Sequence, residues 1–342
     1  MKYLSFVVPS YNASKFLNKC VNSLLYGGDD VEIIIVNDGS LDNTLEIAKG
    51  FEKEYPSIVK VIDKENGGHG STINAALEIA TGLYFKCVDA DDWVDAKAYD
   101  EVLKIIKKHY EAKTSPDAYV LNFVYENLEL NTKYVDTHAN KFPKDKICTF
   151  KDIKKFKCDE FLMMHNLIYK LDVLKESKIK LLEHTYYIDN LFTFVPLYYV
   201  KTLFYIDENF YRYYVGRPNQ SVTLENMTKN YEMQLRVIRE MSLWFTYEDY
   251  QKLDKKHRDF VLHDLVINQF LTLFYISCGF NENKKKAYYE FLNEFKEKNH
   301  KLYKKIRYRS SLVFPFALIP PLRREVIKIG YKIIINKTHW NS

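Results

Sequence analysis

Three carboxylates fall within four positions at Asp89, Asp91 and Asp92, directly after the apolar run Leu83 to Val88. Crowded acids repel one another, and a divalent cation with oxygen ligands is an economical way to relieve them. Ions of that kind commonly hold the phosphates of a substrate. The plain alternative is a solvated turn whose aspartate caps a helix over Ala96 to Lys108. Asn37-Asp38-Gly39-Ser40 lies upstream, and Asp38 there can accept a hydrogen bond from a nucleobase N–H. Ser40 or Asp42 can equally serve as helix caps. Glu65-Asn66-Gly67-Gly68-His69-Gly70 precedes a helical segment, where free N–H groups favour an anion. It lacks the lysine of a P-loop, and no GxGxxG occurs in the chain. His69 has no His or Cys partner at ligand spacing, so a structural or hydrogen-bonding role suits it better than metal ligation. Tyr11 offers either ordinary surface or a flat ring on which a base can stack.

The elements needed to position these residues follow from the hydropathy pattern. Apolar strands are expected at Tyr3 to Val8, Val31 to Val36, Val59 to Ile62 and Leu83 to Val88. Helices are expected between them at Ser14 to Leu25, Leu41 to Lys53 and Ser71 to Ala80. Continuous Val/Ile runs suit a parallel sheet covered on both faces, and such sheets bind ligands at the carboxyl ends of their strands. Every polar motif above follows one of those strands, so all are expected on one edge. Beyond about residue 112 the spacing predicts strands at Ala118 to Tyr125, Lys133 to Val135 and Asn166 to Tyr169. It adds a short helix at Phe150 to Lys157, a helix at Ile188 to Tyr198, and strands at Lys201 to Ile206 and Asn209 to Val215. From about 224 the pattern is helical, and no repeat of 20 to 50 residues occurs.

The 342 residues, 47% hydrophobic with 15% aromatic, suffice for one large domain or two modest ones. The five cysteines form no CxxC pair, which argues for a reducing cytoplasm over a disulfide framework. No signal peptide or spanning segment is expected. Net charge is +5, yet residues 296 to 342 carry twelve Lys and Arg against Glu297 and Glu325, which is +10 and leaves about −5 for the remainder. That distribution excludes a nucleic-acid platform. It suits either a tail packed on the body or attachment to an anionic membrane surface.

The motifs Val8-Pro9-Ser10-Tyr11-Asn12, Val36-Asn37-Asp38-Gly39-Ser40-Leu41-Asp42, Glu65-Asn66-Gly67-Gly68, Asn74 and Asp89-Ala90-Asp91-Asp92 resemble, in order and spacing, those of the family 2 glycosyltransferases. The resemblance is close over about 3 to 95 and looser to about 223. It implies an α/β, GT-A nucleotide-diphospho-sugar transferase fold, Rossmann-like with a mixed sheet, followed by a helical extension. The implied division is a catalytic domain over 1–223, with a nucleotide half at 1–110 and an acceptor half at 111–223. A helical region at 224–295 and the basic-apolar tail at 296–342 follow.

The implied activity is inverting transfer of one sugar from a nucleoside diphosphate sugar, UDP-linked by preference, to a glycan or lipid-linked acceptor, as in bacterial surface-polysaccharide assembly. The setting would be the cytoplasmic face of the membrane. By the same resemblance Pro9, Tyr11, Asp38 and Asn66 would meet the nucleoside, with Asn12, Gly39, Gly68, Asn74 and Ala90 lining the donor site. Asp91 would hold Mn²⁺ or Mg²⁺, with Asp89 at the ribose or the metal. Asp189 is the candidate base, although Ile188 stands where the family often has Glu. Ile73 replaces a frequent Arg, which leaves Arg212 and Arg217 as candidate diphosphate ligands. The QxxRW motif of processive synthases is absent. The rival readings are a sugar nucleotidyltransferase, which would release pyrophosphate, and a non-catalytic nucleotide-binding module.

Overall fold

The computed structural model describes residues 1–216, 224–277 and 282–309. Two compact units are present. The first comprises 1–154, 162–188 and 199–215; the second comprises 155–161, 189–198 and the described residues from Gly216 onward. The chain thus enters the second unit twice, at 155–161 and 189–198, before its last crossing at Gly216.

The first unit opens with β1 (Leu4–Ser10), α1 (Leu17–Leu25), β2 (Val31–Asp38), α2 (Thr44–Glu54), β3 (Val59–Lys64), α3 (His69–Ile79) and β4 (Tyr84–Cys87). β1 pairs in parallel with both β2 and β4, and β2 pairs in parallel with β3. Parallel pairing puts all four carboxyl ends on one edge, as the apolar runs implied. Leu17, Cys20, Val21 and Leu24 bury one stripe of α1, at helical spacing. At the opposite edge Glu32 is 1% exposed and accepts from Ser5 Oγ (2.6 Å), Lys60 Nζ (2.7 Å) and Thr81 N (2.6 Å), so a buried charge ties the strand starts together.

The sheet continues with β5 (Trp93–Val94), α4 (Ala96–Glu111), β6 (Ala118–Asn127), β7 (Thr132–Asp136), β8 (Leu167–Lys170), α5 (Leu171–Ser177) and β9 (Leu203–Val215). Its order is β3-β2-β1-β4-β8-β6-β9-β5, with β7 alongside β6. β8 runs antiparallel to β4 and β6, and β6 runs parallel to β9, which makes the sheet mixed. The two strands expected at 201–215 are one, because its register against β6 slips on either side of Asn122. Asn122 Nδ2 reaches Asp207 Oδ1 at 2.9 Å, securing the extra residues as a bulge. The helix expected at Phe150 to Lys157 does not form: Asp152 Oδ2 accepts from both N (2.9 Å) and Oγ1 (3.0 Å) of Thr149, closing a turn instead. β5 and α5 had no distinct signal, being two and seven residues long.

The second unit is helical: α6 (Asp189–Leu197), α7 (Leu224–Lys229), α8 (Tyr231–Trp244), α9 (Tyr247–Lys252), α10 (Lys255–Ser277), α11 (Glu282–Lys298) and α12 (His300–Arg309). Its core takes Leu235, Ile238 and Met241 from α8, Leu265 and Phe274 from α10, Phe291 and Phe295 from α11, and Leu302 and Ile306 from α12. The start of the basic tail therefore lays its apolar positions inward, while residues 310–342 lie outside the described residues. Among the described residues no helix is long and apolar enough to cross a membrane.

Candidate active site

The first polar cluster sits where β1, β2 and β3 end. Asp38, the last residue of β2, is 2% exposed and stands in register with Lys64 at the end of β3. Its Oδ1 accepts from Lys64 Nζ at 2.9 Å, Gly67 N at 2.9 Å and Ser71 Oγ at 3.3 Å, and its Oδ2 from Gly68 N at 2.8 Å. A carboxylate offers about four acceptor sites, two on each oxygen, so Oδ2 retains room for one more donor. Asn66 Nδ2 donates to the Asp38 carbonyl at 2.9 Å. Gly39 has φ +69°, and a Cβ on it would stand 2.9 Å from Asn66 N, so this turn needs glycine on both counts. Gly68, at φ +82°, would bring a Cβ to 3.0 Å from His184 N.

Asn12 takes the left-handed conformation at φ 48°. Its Oδ1 accepts from Leu41 N at 2.8 Å and its own N–H donates to Ser40 Oγ at 3.0 Å, joining the β1 and β2 loops. Asp42 completes the junction by accepting from Ser14 N at 3.1 Å and Thr44 N at 3.0 Å. Partial burial opposes its ionisation, but these hydrogen bonds prevail and lower its carboxyl to about 2. Pro9 is buried in β1 beside Val36, whereas the Tyr11 ring stands 52% exposed beyond it. Asn74 is engaged at both ends of its amide, giving to Leu181 O and taking from Leu181 N at 2.9 Å each. It fastens the 178–188 segment to α3.

The second cluster follows β4. Asp89 Oδ1 meets His69 Nε2 at 2.9 Å, and the Asp89 N–H donates to Tyr211 Oη at 3.2 Å. Tyr211 Oη–H donates in turn to Asp92 Oδ2 at 2.6 Å, and Tyr214 N donates to Asp92 Oδ1 at 2.8 Å. The helix-capping role belongs to none of the motif's three acids: Asp95 accepts from Ala98 N at 3.1 Å at the start of α4. Burial opposes ionisation of Asp89, yet His69, His165 and Lys86 hold its carboxyl below the ordinary value. Burial and then the charge of Asp89 push the Asp92 carboxyl well up. Close acids divide in this way when one has more cationic company than the other. Ala90 is buried between them at 5% exposure.

Two residues here went unnoticed in the sequence. Lys86 is fully buried in β4 and donates to the carbonyls of Met164 (2.8 Å) and His165 (2.7 Å). Burial lowers its ammonium to about 7. Its signal was present, since it is the one charged residue in an otherwise apolar strand. His165 had none, being a lone histidine ahead of a short strand. Its Nε2 comes to 4.0 Å from Asp89 Oδ2. The ligand atoms of Asp89, Asp92 and His165 lie within 4.8 Å of one another, as do those of His69, Cys87 and Asp89. Asp91 belongs to neither group among the described residues.

Arg212, expected at a diphosphate, binds Glu126 of β6 and Asp95 at the start of α4. One guanidinium nitrogen reaches Glu126 Oε1 at 2.9 Å and the other Asp95 Oδ2 at 2.8 Å. Arg217 lies outside the described residues. Asp189 is the first residue of α6 in the second unit, and Ile188 before it is fully buried. A glutamate at that buried position would need a partner that isoleucine does not. Within the second unit Asp264 on α10 senses Asp189: burial first, and that negative charge second, raise the Asp264 carboxyl to about 7.

Residues 5–172 match the description of glycosyl transferase family 2. An uncharacterized glycosyltransferase of Escherichia coli, YibD, is 26% identical over 263 residues, covering 76% of this chain and 73% of the relative. The minor teichoic acid biosynthesis protein GgaB of Bacillus subtilis is 32% identical over 108 residues, 31% of this chain and 12% of that one. Among solved structures, S. aureus TarS 1-349 in complex with UDP-GlcNAc superposes with TM-score 0.67 at 19% identity, covering 96% of this chain and 92% of that chain. The likeness to TarS concerns the fold, and the sheet order and strand-end motifs agree with the GT-A arrangement expected from the sequence. Residues 5–172 are a family 2 glycosyltransferase domain, and the chain that carries it is a glycosyltransferase.

Proposed function

We propose that the chain moves a single sugar from a nucleoside diphosphate sugar, a UDP-sugar in preference, to a hydroxyl of a glycan or lipid-linked acceptor, with inversion at the anomeric carbon. The observation that carries this reading is the meeting, on one sheet edge, of the Asp38 to Gly68 turn with the Asp89 cluster. The first suits a nucleoside: the exposed Tyr11 ring offers a stacking face and Asp38 Oδ2 a free acceptor site for a base N–H. The second suits a diphosphate with its cation. The UDP-GlcNAc complex of TarS and the teichoic acid biosynthesis role of GgaB favour a UDP donor and a bacterial surface polymer as acceptor.

A divalent ion, Mn²⁺ or Mg²⁺, fits the donor set of this cluster. Asp89 and Asp91 supply the carboxylates expected at its face, and the unpartnered nitrogens of buried His165 agree with a missing positive ligand. When bound, such an ion stabilises the charge gathering on the departing diphosphate. Asp189 takes the proton of the acceptor hydroxyl as its oxygen bonds to the anomeric carbon. The bond from that carbon to the diphosphate oxygen breaks with its electron pair leaving on UDP. Arg212 ties β9 to β6 and to the start of α4 through its two acids, so a positioning role fits it better than donor contact. The basic tail beyond residue 309 would hold the enzyme at an anionic membrane surface, where a lipid-linked acceptor resides.

UDP release from a panel of UDP-sugars with Mn²⁺ or Mg²⁺ tests the reading. Asp189→Asn should retain UDP binding while losing about 10²–10⁴-fold in transfer rate, the range expected for a general base. Asp91→Ala should lose its response to metal. Full transfer by Asp189→Asn would remove the assigned base, and absence of UDP release across donors would remove the UDP-sugar reading.

A further inference from the structure

His165 is an imidazole with unmet bonding capacity. It is 4% exposed, and neither Nδ1 nor Nε2 has a hydrogen-bond partner among the described residues. Folded proteins leave few buried polar atoms unpaired, and those that persist call for a functional account. The ring is not at liberty to seek a partner elsewhere. Tyr213 stacks on it with centroids 4.6 Å apart at 20°, and Tyr211 covers it at 4.7 Å. Lys86 fixes the backbone by holding the carbonyls of Met164 and His165.

What the ring faces is the acidic motif. Nε2 is 4.0 Å from Asp89 Oδ2, too far for a hydrogen bond and suited to two donors sharing a third atom. Donors on one divalent ion, at about 2.1–2.5 Å each, lie within ~5 Å of each other. The ligand atoms of Asp89, Asp92 and His165 meet that limit, all falling within 4.8 Å. The competing group containing His69 and Cys87 is less apt, because His69 Nε2 is already bonded to Asp89 Oδ1 at 2.9 Å.

We infer that His165 supplies an imidazole nitrogen to the divalent cation held at the acidic motif, and that this donor, beside Asp89, favours Mn²⁺ over Mg²⁺. The inference rests on the metal-assisted reading above and adds to it a ligand outside the acidic motif and a metal preference. Its chemistry is that of the donor set. Magnesium prefers oxygen ligands and sheds water reluctantly, whereas a neutral imidazole binds transition-metal ions more readily. The same side chain explains its own burial, since an imidazole packed against two tyrosines is already oriented when the ion arrives.

Mn²⁺ binding to the full chain in the presence of UDP, followed by electron paramagnetic resonance with detection of ¹⁴N coupling, tests this without reference to turnover. The wild-type protein should show nitrogen coupling that persists in His69→Gln and vanishes in His165→Leu. His165→Leu should weaken Mn²⁺ about tenfold or more while affecting Mg²⁺ little. Its metal-free thermal midpoint should not fall, because removing two unpaired nitrogens from a buried site relieves the apo protein. Bound Mn²⁺ without nitrogen coupling in the wild type overturns the inference and leaves sugar transfer standing. Coupling that follows His69 in place of His165 overturns it too. Absence of any Mn²⁺ binding overturns both this inference and the metal-assisted part of the proposed function. Should His165→Leu not fold, the wild-type spectrum and the His69→Gln control decide alone.

Discussion

Two neighbouring regions of the same sheet edge differ in how completely they satisfy their own polar groups. Around Asp38 the fold supplies its own partners: one lysine, two backbone N–H groups and a serine converge on a single carboxylate. Around Asp89 the supply falls short, for an imidazole with two unpaired nitrogens faces a carboxylate across 4.0 Å. The first region is finished by folding and presents a rigid turn to whatever binds. The second is finished only by a ligand. A preorganised site needs both, since the rigid part fixes where the ligand lies and the unsatisfied part makes its arrival favourable.

The contrast can be broken most forcefully at Asp38. Asp38→Ala removes the acceptor of a buried ion pair and of two backbone N–H groups, and should lower stability by about 3–5 kcal/mol in urea unfolding. An unchanged midpoint would show that the Gly67 to Gly68 turn holds itself. Lys86→Met tests what keeps His165 in place. It strands two buried carbonyls, and a loss of about 2–3 kcal/mol is expected together with weaker Mn²⁺ binding. Retention of both properties would detach Lys86 from the metal cluster.

Asp264 sharpens the comparison from the second unit, because its Oδ2 is buried and without a hydrogen-bond partner among the described residues. Its ordinary value of 3.8 is raised to about 7 by burial and by Asp189. The folded state therefore holds a proton that the unfolded chain releases between about pH 4 and 7, so stability from this group falls as pH rises through that window and stays low above it. Asp264→Asn should leave the thermal midpoint near that of the wild type at pH 4. At pH 8 it should raise stability by about 1–2 kcal/mol. Equal midpoints at both pH values would mean that Asp264 has a partner in solution.

The nucleotide side was legible in the sequence because its parts are local. Apolar runs of period-independent Val and Ile specify buried strands, and the residues directly after them inherit a common edge. Asp38, Asn66, Gly68 and Asp89 could each be placed by counting from a strand end. The roles of Asp92, Asp95 and Arg212 were not legible, since each is decided by a partner more than 80 residues away. Spacing within the Asp-Ala-Asp-Asp motif does not reveal that Tyr211 and Tyr214 bind its last acid, nor that Arg212 pairs with Asp95. The same limit hid the bulge that merges two expected strands into β9.

The amino-acid sequence by itself determined the parallel half-sheet, its polar edge, the family of the 5–172 domain and the basic end. Each follows from residues close together in the chain, through hydropathy, turn chemistry and charge. Only the tertiary structure decided that His165 joins His69 beside the acids. His165 is 76 positions from Asp89, and antiparallel pairing of β8 with β4 brings the short turn before β8 beside the end of β4. No local pattern encodes that meeting, because it depends on strand order and register, which emerge when the whole sheet buries its faces together.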